Sequence, residues 1–151
     1  LLKDVLMKIE IKITKRTLMS SLLVGVLSFS SFVVMSAESW VGVAKDITTV
    51  IESSVKLHRE GEKSEAKRKV IEAYFGIFES EKFEAAMRQE MGSKYTYQVE
   101  RKFGALRKAM KKEVPIVEIE GIAEDIITTI TKDAKKLDEV GIPINVFAVN
   151  Q

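Results

Sequence analysis

Glu65, Glu72 and Glu79 recur at every seventh position of a 151-residue chain carrying 22 acidic and 24 basic side chains. Carboxylates are hard oxygen donors, so the chemistry open to them is the capture of a hard cation. On an α-helix rising 1.5 Å per residue, seven positions separate them by about 10 Å, too far for one ion to bridge. A cation needs carboxylates converging from neighbouring helices, as helical bundles can arrange. Glu79, Glu84 and Glu100 form the candidate ligand set on this reading, with Glu72, on the same helical side as Glu79, as a further member. The competing reading is a solvated face. Glu84 and Arg88 stand four residues apart and can pair along one helix, and Glu120 and Glu124 can pair with lysines across helices.

Other chemistries are excluded by composition. With no cysteine the chain holds no disulfide, thiolate zinc site or iron–sulfur cluster, and its one histidine rules out a three-histidine centre within one chain. Any metal here is bound mainly by oxygen. His58 has no motif around it that would make a base for a nucleophile, and it reads as a packing or capping residue at a helix end. The eight glycines are scattered and build no phosphate loop. The expectation is therefore a protein that is not an enzyme. The basic runs Lys67-Arg68-Lys69, Arg107-Lys108 and Lys111-Lys112 read as solvated or membrane-proximal surface, not as a nucleic-acid interface.

The elements that must position these residues are helices. Val43, Ile47, Val50, Ile51, Ser54 and Leu57 fall on one face of a first helix that stops near Gly61. Glu62 to Phe78 repeats Val70, Ile71, Tyr74, Ile77 and Phe78, with Gly76 inside it marking a break or a close helix contact. Ser80 is placed to cap a short helix through Met91, and Ser93 to cap another whose seam is Val99, Phe103, Leu106 and Met110. Pro115 suits the start of a last helix with Ile119, Ile122, Ile126, Ile130 and Leu137 on its apolar side, stopped by Gly141 and Pro143. The spacing predicts an all-α fold, an antiparallel helical bundle of four to five helices, over 38–143, followed by a short tail at 144–151.

Ahead of the bundle, residues 1–37 carry a net charge of +3, and Lys15 and Arg16 precede 17 uncharged residues, Leu18 to Val34. Small residues follow at Ser36 and Ala37. That order is a signal peptide, or else an uncleaved anchor helix, and it places the bundle outside the cytoplasmic membrane.

Three segments carry a family resemblance. They are Glu72-Ala73-Tyr74-Phe75-Gly76-Ile77-Phe78-Glu79, then Phe83-Glu84-Ala85-Ala86-Met87-Arg88, then Tyr97-Gln98-Val99-Glu100-Arg101-Lys102-Phe103-Gly104-Ala105-Leu106-Arg107-Lys108-Ala109-Met110. In order and spacing the region 44–141 resembles the N-terminal extracytoplasmic domain of bacterial high-affinity iron permeases, the oxidase-dependent iron transporter family. The resemblance implies a helical domain outside the membrane that takes part in iron uptake, binding the iron ion as transported cargo or docking its supplier. It also implies a permease as partner, either a membrane domain or a separate subunit. Tyr74, Phe75, Phe78, Phe103 and Leu106 match apolar motif positions; Glu72, Glu79, Glu84, Arg88, Glu100 and Arg107 match polar ones. The family's Arg-Glu-x-x-Glu iron motif is not met by Arg59-Glu60-Gly61-Glu62-Lys63, and no apolar run after residue 38 is long enough to span a bilayer. The expectation is a chain truncated before the membrane helices. The alternative is an envelope-located structural or interaction bundle with no metal role.

Overall fold

The computed structural model describes residues 38–145; the expected targeting segment at 1–37 and residues 146–151 of the tail lie outside the described residues. Five helices follow one another: α1 (Trp40–Arg59), α2 (Lys63–Ile71), α3 (Phe83–Met91), α4 (Ser93–Lys112) and α5 (Ile116–Glu139), with no strand among the described residues. From α2 the chain runs straight into a π-helical stretch, Glu72–Glu79. The all-helical bundle expected from the spacing is the fold.

The stripes on the helices explain the packing. On α1 the buried residues Val43, Ile47, Ile51 and Val55 recur every four positions, below a fully buried Trp40, which is the period of one helical face. This face packs against α2 and α5. Val99, Phe103, Leu106 and Met110 of α4 are all buried, as are Ile119, Ile126, Ile130 and Leu137 of α5. Burying each such side chain contributes roughly 1.5–3 kcal/mol over leaving it in water.

Polar contacts give the helix directions. Asp138, at the end of α5, meets Trp40 at the start of α1, while Arg59 at the end of α1 meets Glu120 near the start of α5 at 2.6 Å. The two helices are antiparallel. In the same way Tyr95 and Lys102 of α4 reach Asp133 and Asp125 of α5, so that pair is antiparallel too. Gly61 ends α1 at φ +86°, a left-handed conformation in which a side chain would be strained, and the chain turns there into α2.

Three local expectations are corrected. Ser80 does not cap α3: its hydroxyl donates back to the Gly76 carbonyl, and the N-cap position falls to Lys82 at φ 63°. Ser93 is the first residue inside α4, behind Gly92. Gly76 touches no neighbouring helix, since a Cβ there would come no nearer than 3.7 Å to the Glu72 side chain. The irregularity expected at Gly76 is π winding, which such low-propensity positions tolerate.

Candidate functional site

The π-helical stretch after α2, the first turns of α3 and the middle of α4 meet at one place. Phe78, fully buried, lies 5.6 Å from Phe83 and 5.3 Å from Phe103 between ring centroids. Tyr74 stacks on Phe78 at 5.8 Å and also meets Phe103 at 5.5 Å. Phe83 carries the cluster on to Trp40, edge to face at 5.8 Å. Aromatic pairs in these geometries add about 0.5–1.5 kcal/mol each beyond their burial. Two apolar positions read from the sequence lie outside the core: Ile71 is 38% exposed and Phe75 55%, because the positions next to Val70 and Tyr74 along the helix point away from the packed face.

A polar group borders this aromatic cluster. Arg88 lies between two carboxylates, donating to Glu84 Oε1 along α3 and, at 3.3 Å, to Glu100 Oε1 on α4. Burial pushes the Glu84 carboxyl up from its ordinary value; Arg88 pulls it down, and the neighbouring Glu100 pushes it up again. The Tyr74 phenol is raised well above the usual range, first by burial and then by the Glu79 carboxylate that it faces, with Glu100 and Glu84 adding to the same negative field. The structure thus brings Glu79, Glu84 and Glu100 to one region, with Tyr74 and Arg88 among them. It leaves Glu72 outside, exposed and accepting from Lys69 Nζ at 2.7 Å. Among the described residues no three carboxylates or imidazoles stand close enough to hold a metal ion together. The cation seated between Glu84 and Glu100 is a guanidinium.

A second polar feature was not anticipated. Asp133, only 3% exposed, accepts from the Tyr95 hydroxyl on both oxygens at 3.1 and 3.0 Å. Burial raises its carboxyl above the ordinary range, while Tyr95, Lys132, Lys102 and Lys136 work the other way. The Tyr95 phenol is pushed up to about 12 by burial and by that carboxylate. The signal lay in the spacing: Asp133 falls between Ile130 and Leu137 on the buried stripe of α5, where an aspartate needs a partner. His58 is half-buried in the last turn of α1, its carbonyl accepting from the Gly61 amide at 3.1 Å, and its Nδ1 is buried without a partner among the described residues.

Comparison with family models, with curated proteins and with solved structures finds no match for this chain.

Proposed function

We propose that this bundle takes part in iron uptake on the outer side of the cytoplasmic membrane, beside a permease, by receiving iron or docking the protein that supplies it. One observation carries the reading. The three segments on which the resemblance rests, separated in sequence, adjoin in space, where they share the aromatic cluster Tyr74, Phe78, Phe83 and Phe103 and the polar group Glu84, Arg88 and Glu100. A common fold alone would bury the aromatic residues, but it has no need of the Glu84, Arg88 and Glu100 group beside them.

In the iron-receiving version, ferric iron is cargo held by hard oxygen donors from Glu84 and Glu100, with Glu79 and Tyr74 beside them. Arg88 then acts as the resident counter-ion that iron displaces, since one carboxylate pair cannot be fully engaged by both cations. Calorimetric titration of the 151-residue chain with a ferric chelate tests this: Arg88→Ala strengthens binding, and Glu84→Gln with Glu100→Gln weakens it by about tenfold or more, roughly 1.4 kcal/mol per decade. No heat of binding in the parent chain together with none in Arg88→Ala removes the direct-ligand version. The docking version is tested by co-purification with the permease.

The second reading, an interaction bundle with no metal role, is favoured by the exposed Phe75 and Tyr97 (55% and 59%), which lie together outside the core.

A further inference from the structure

Between α2 with its π-helical extension and α4 runs a groove whose aromatic end has a volume of about 280 Å³. Its walls there are Tyr74, Phe75, Tyr97 and Phe103, and Val70 and Gly104 lie along it. Ile71, Phe75 and Tyr97 expose 38%, 55% and 59% of their surface, three apolar side chains on one face. Gly104 matters to the shape. A Cβ built there meets nothing within 4 Å, so a larger side chain at that position has room to project into the groove.

Among the described residues, the unpaired charge along the groove has one sign. Arg101 lies over the Tyr97 ring at 6.0 Å, and Arg107 flanks Gly104. Beyond Ile71 and Gly104 the same helix pair continues the groove with Lys67, Lys108 and Lys111. These five cations make no ion pair among the described residues, whereas the one acid on the groove wall, Glu100, is already engaged by Arg88. From Tyr97 to Lys111 the groove follows 15 residues of α4, a rise of about 21 Å at 1.5 Å per residue step. That length matches four turns of an added helix.

We propose that this groove docks an acidic amphipathic helix of a partner protein. Apolar side chains at helical spacing fill the aromatic end over Gly104, and carboxylates on the flanks of the same helix face Arg101, Arg107 and the lysines beyond. A concave, glycine-floored slot favours an inserted side chain over a membrane surface, which is better met by protruding apolar residues. The inference is independent of whether iron is carried, and peptide binding and ferric-chelate binding are read in separate assays.

The test is selection of helical peptides from a displayed random library on the immobilised 151-residue chain, followed by binding measurements on the winners. Expected are peptides with apolar residues at i, i+3 or i+4 and i+7 flanked by Asp and Glu. Their affinity falls at least tenfold in Gly104→Leu, where the new side chain fills the slot, and in Arg101→Glu with Arg107→Glu; rising salt weakens them. Circular dichroism checks folding, and Gly104→Leu is expected to melt no lower than the parent, because leucine favours a helix more than glycine does. Winners enriched in basic residues, or bound equally by Gly104→Leu, would overturn the proposal. So would a parent chain that selects no helical peptide while anionic phosphatidylglycerol vesicles bind it and lose that binding in Arg101→Glu with Arg107→Glu.

Discussion

Asp133 illustrates how one side chain sets a pH dependence. Its carboxyl is buried and its folded-state affinity for a proton is raised, chiefly by burial, so the folded chain holds that proton more tightly than the unfolded chain does. The contribution to stability is therefore fully present below the ordinary aspartate range and is lost as pH rises through the raised folded value. Asp133→Asn keeps an acceptor for Tyr95 and removes the buried charge. The variant is expected to be as stable as the parent or more stable at neutral pH, with its advantage shrinking on acidification; urea unfolding at neutral and acidic pH measures the difference. An advantage that stays constant across that window would show that burial of the charge is not what this position costs. Glu84 has the same sign of shift but is held down by Arg88, so removing Arg88 is expected to raise the Glu84 carboxyl further.

Helix ends decide how the elements lock together. The first amides of α1 are held by two caps: Ser39 Oγ accepts from Gly42 N at 3.1 Å, and the Asp138 carboxylate accepts from Trp40 N at 2.9 Å and Val41 N at 3.0 Å. An anion at a helix N-terminus is favourable both as acceptor and against the helix dipole. Here the anion comes from the end of the last helix, 98 residues on in sequence, so it fastens α5 to α1 as well as capping. Asp138→Ala is expected to cost about 1–2 kcal/mol, read as a lower urea midpoint. Hydrogen exchange at the Trp40 and Val41 amides is expected to accelerate more than at Ile47 or Ile51 in mid-helix. Uniform acceleration along α1 would mean that the carboxylate does not act locally as a cap. The π-helical stretch is the other element-scale feature, because it carries Tyr74 and Phe78 onto the same partner, Phe103.

At the scale of the whole molecule, the core is one connected cluster. Trp40, the sole tryptophan of the chain, touches Phe83, which touches Phe78, which touches Phe103. Trp40 Nε1 also donates to the Ile142 carbonyl at 2.7 Å, across 102 residues of sequence. Tryptophan fluorescence and helical circular dichroism are therefore expected to report one coincident unfolding transition. Phe78→Ala, which empties the centre of the aromatic cluster, is expected to lower stability by about 3–5 kcal/mol and to move both signals together. Two separated transitions would mean that α1 and the aromatic cluster unfold as independent units. No helix among the described residues is long and apolar enough to cross a membrane.

Much of this was written in the sequence. The 3.6-residue period of Val43, Ile47 and Ile51, or of Val99, Phe103, Leu106 and Met110, depends only on which side chains avoid water, and burial followed it residue by residue. Glycine stops were equally legible, because a positive φ at Gly61 and Gly92 is a property of the residue itself. What the sequence could not supply were pairings across helices. That Arg88 bridges Glu84 to Glu100, that Asp138 caps a helix beginning 98 residues earlier, and that Asp133 survives in the core on the hydroxyl of Tyr95 all depend on which faces meet. The groove floored by Gly104 is of the same kind. Hydrophobic burial is additive along a chain and can be read one residue at a time; a hydrogen bond or a concavity exists only between partners that packing has already brought together.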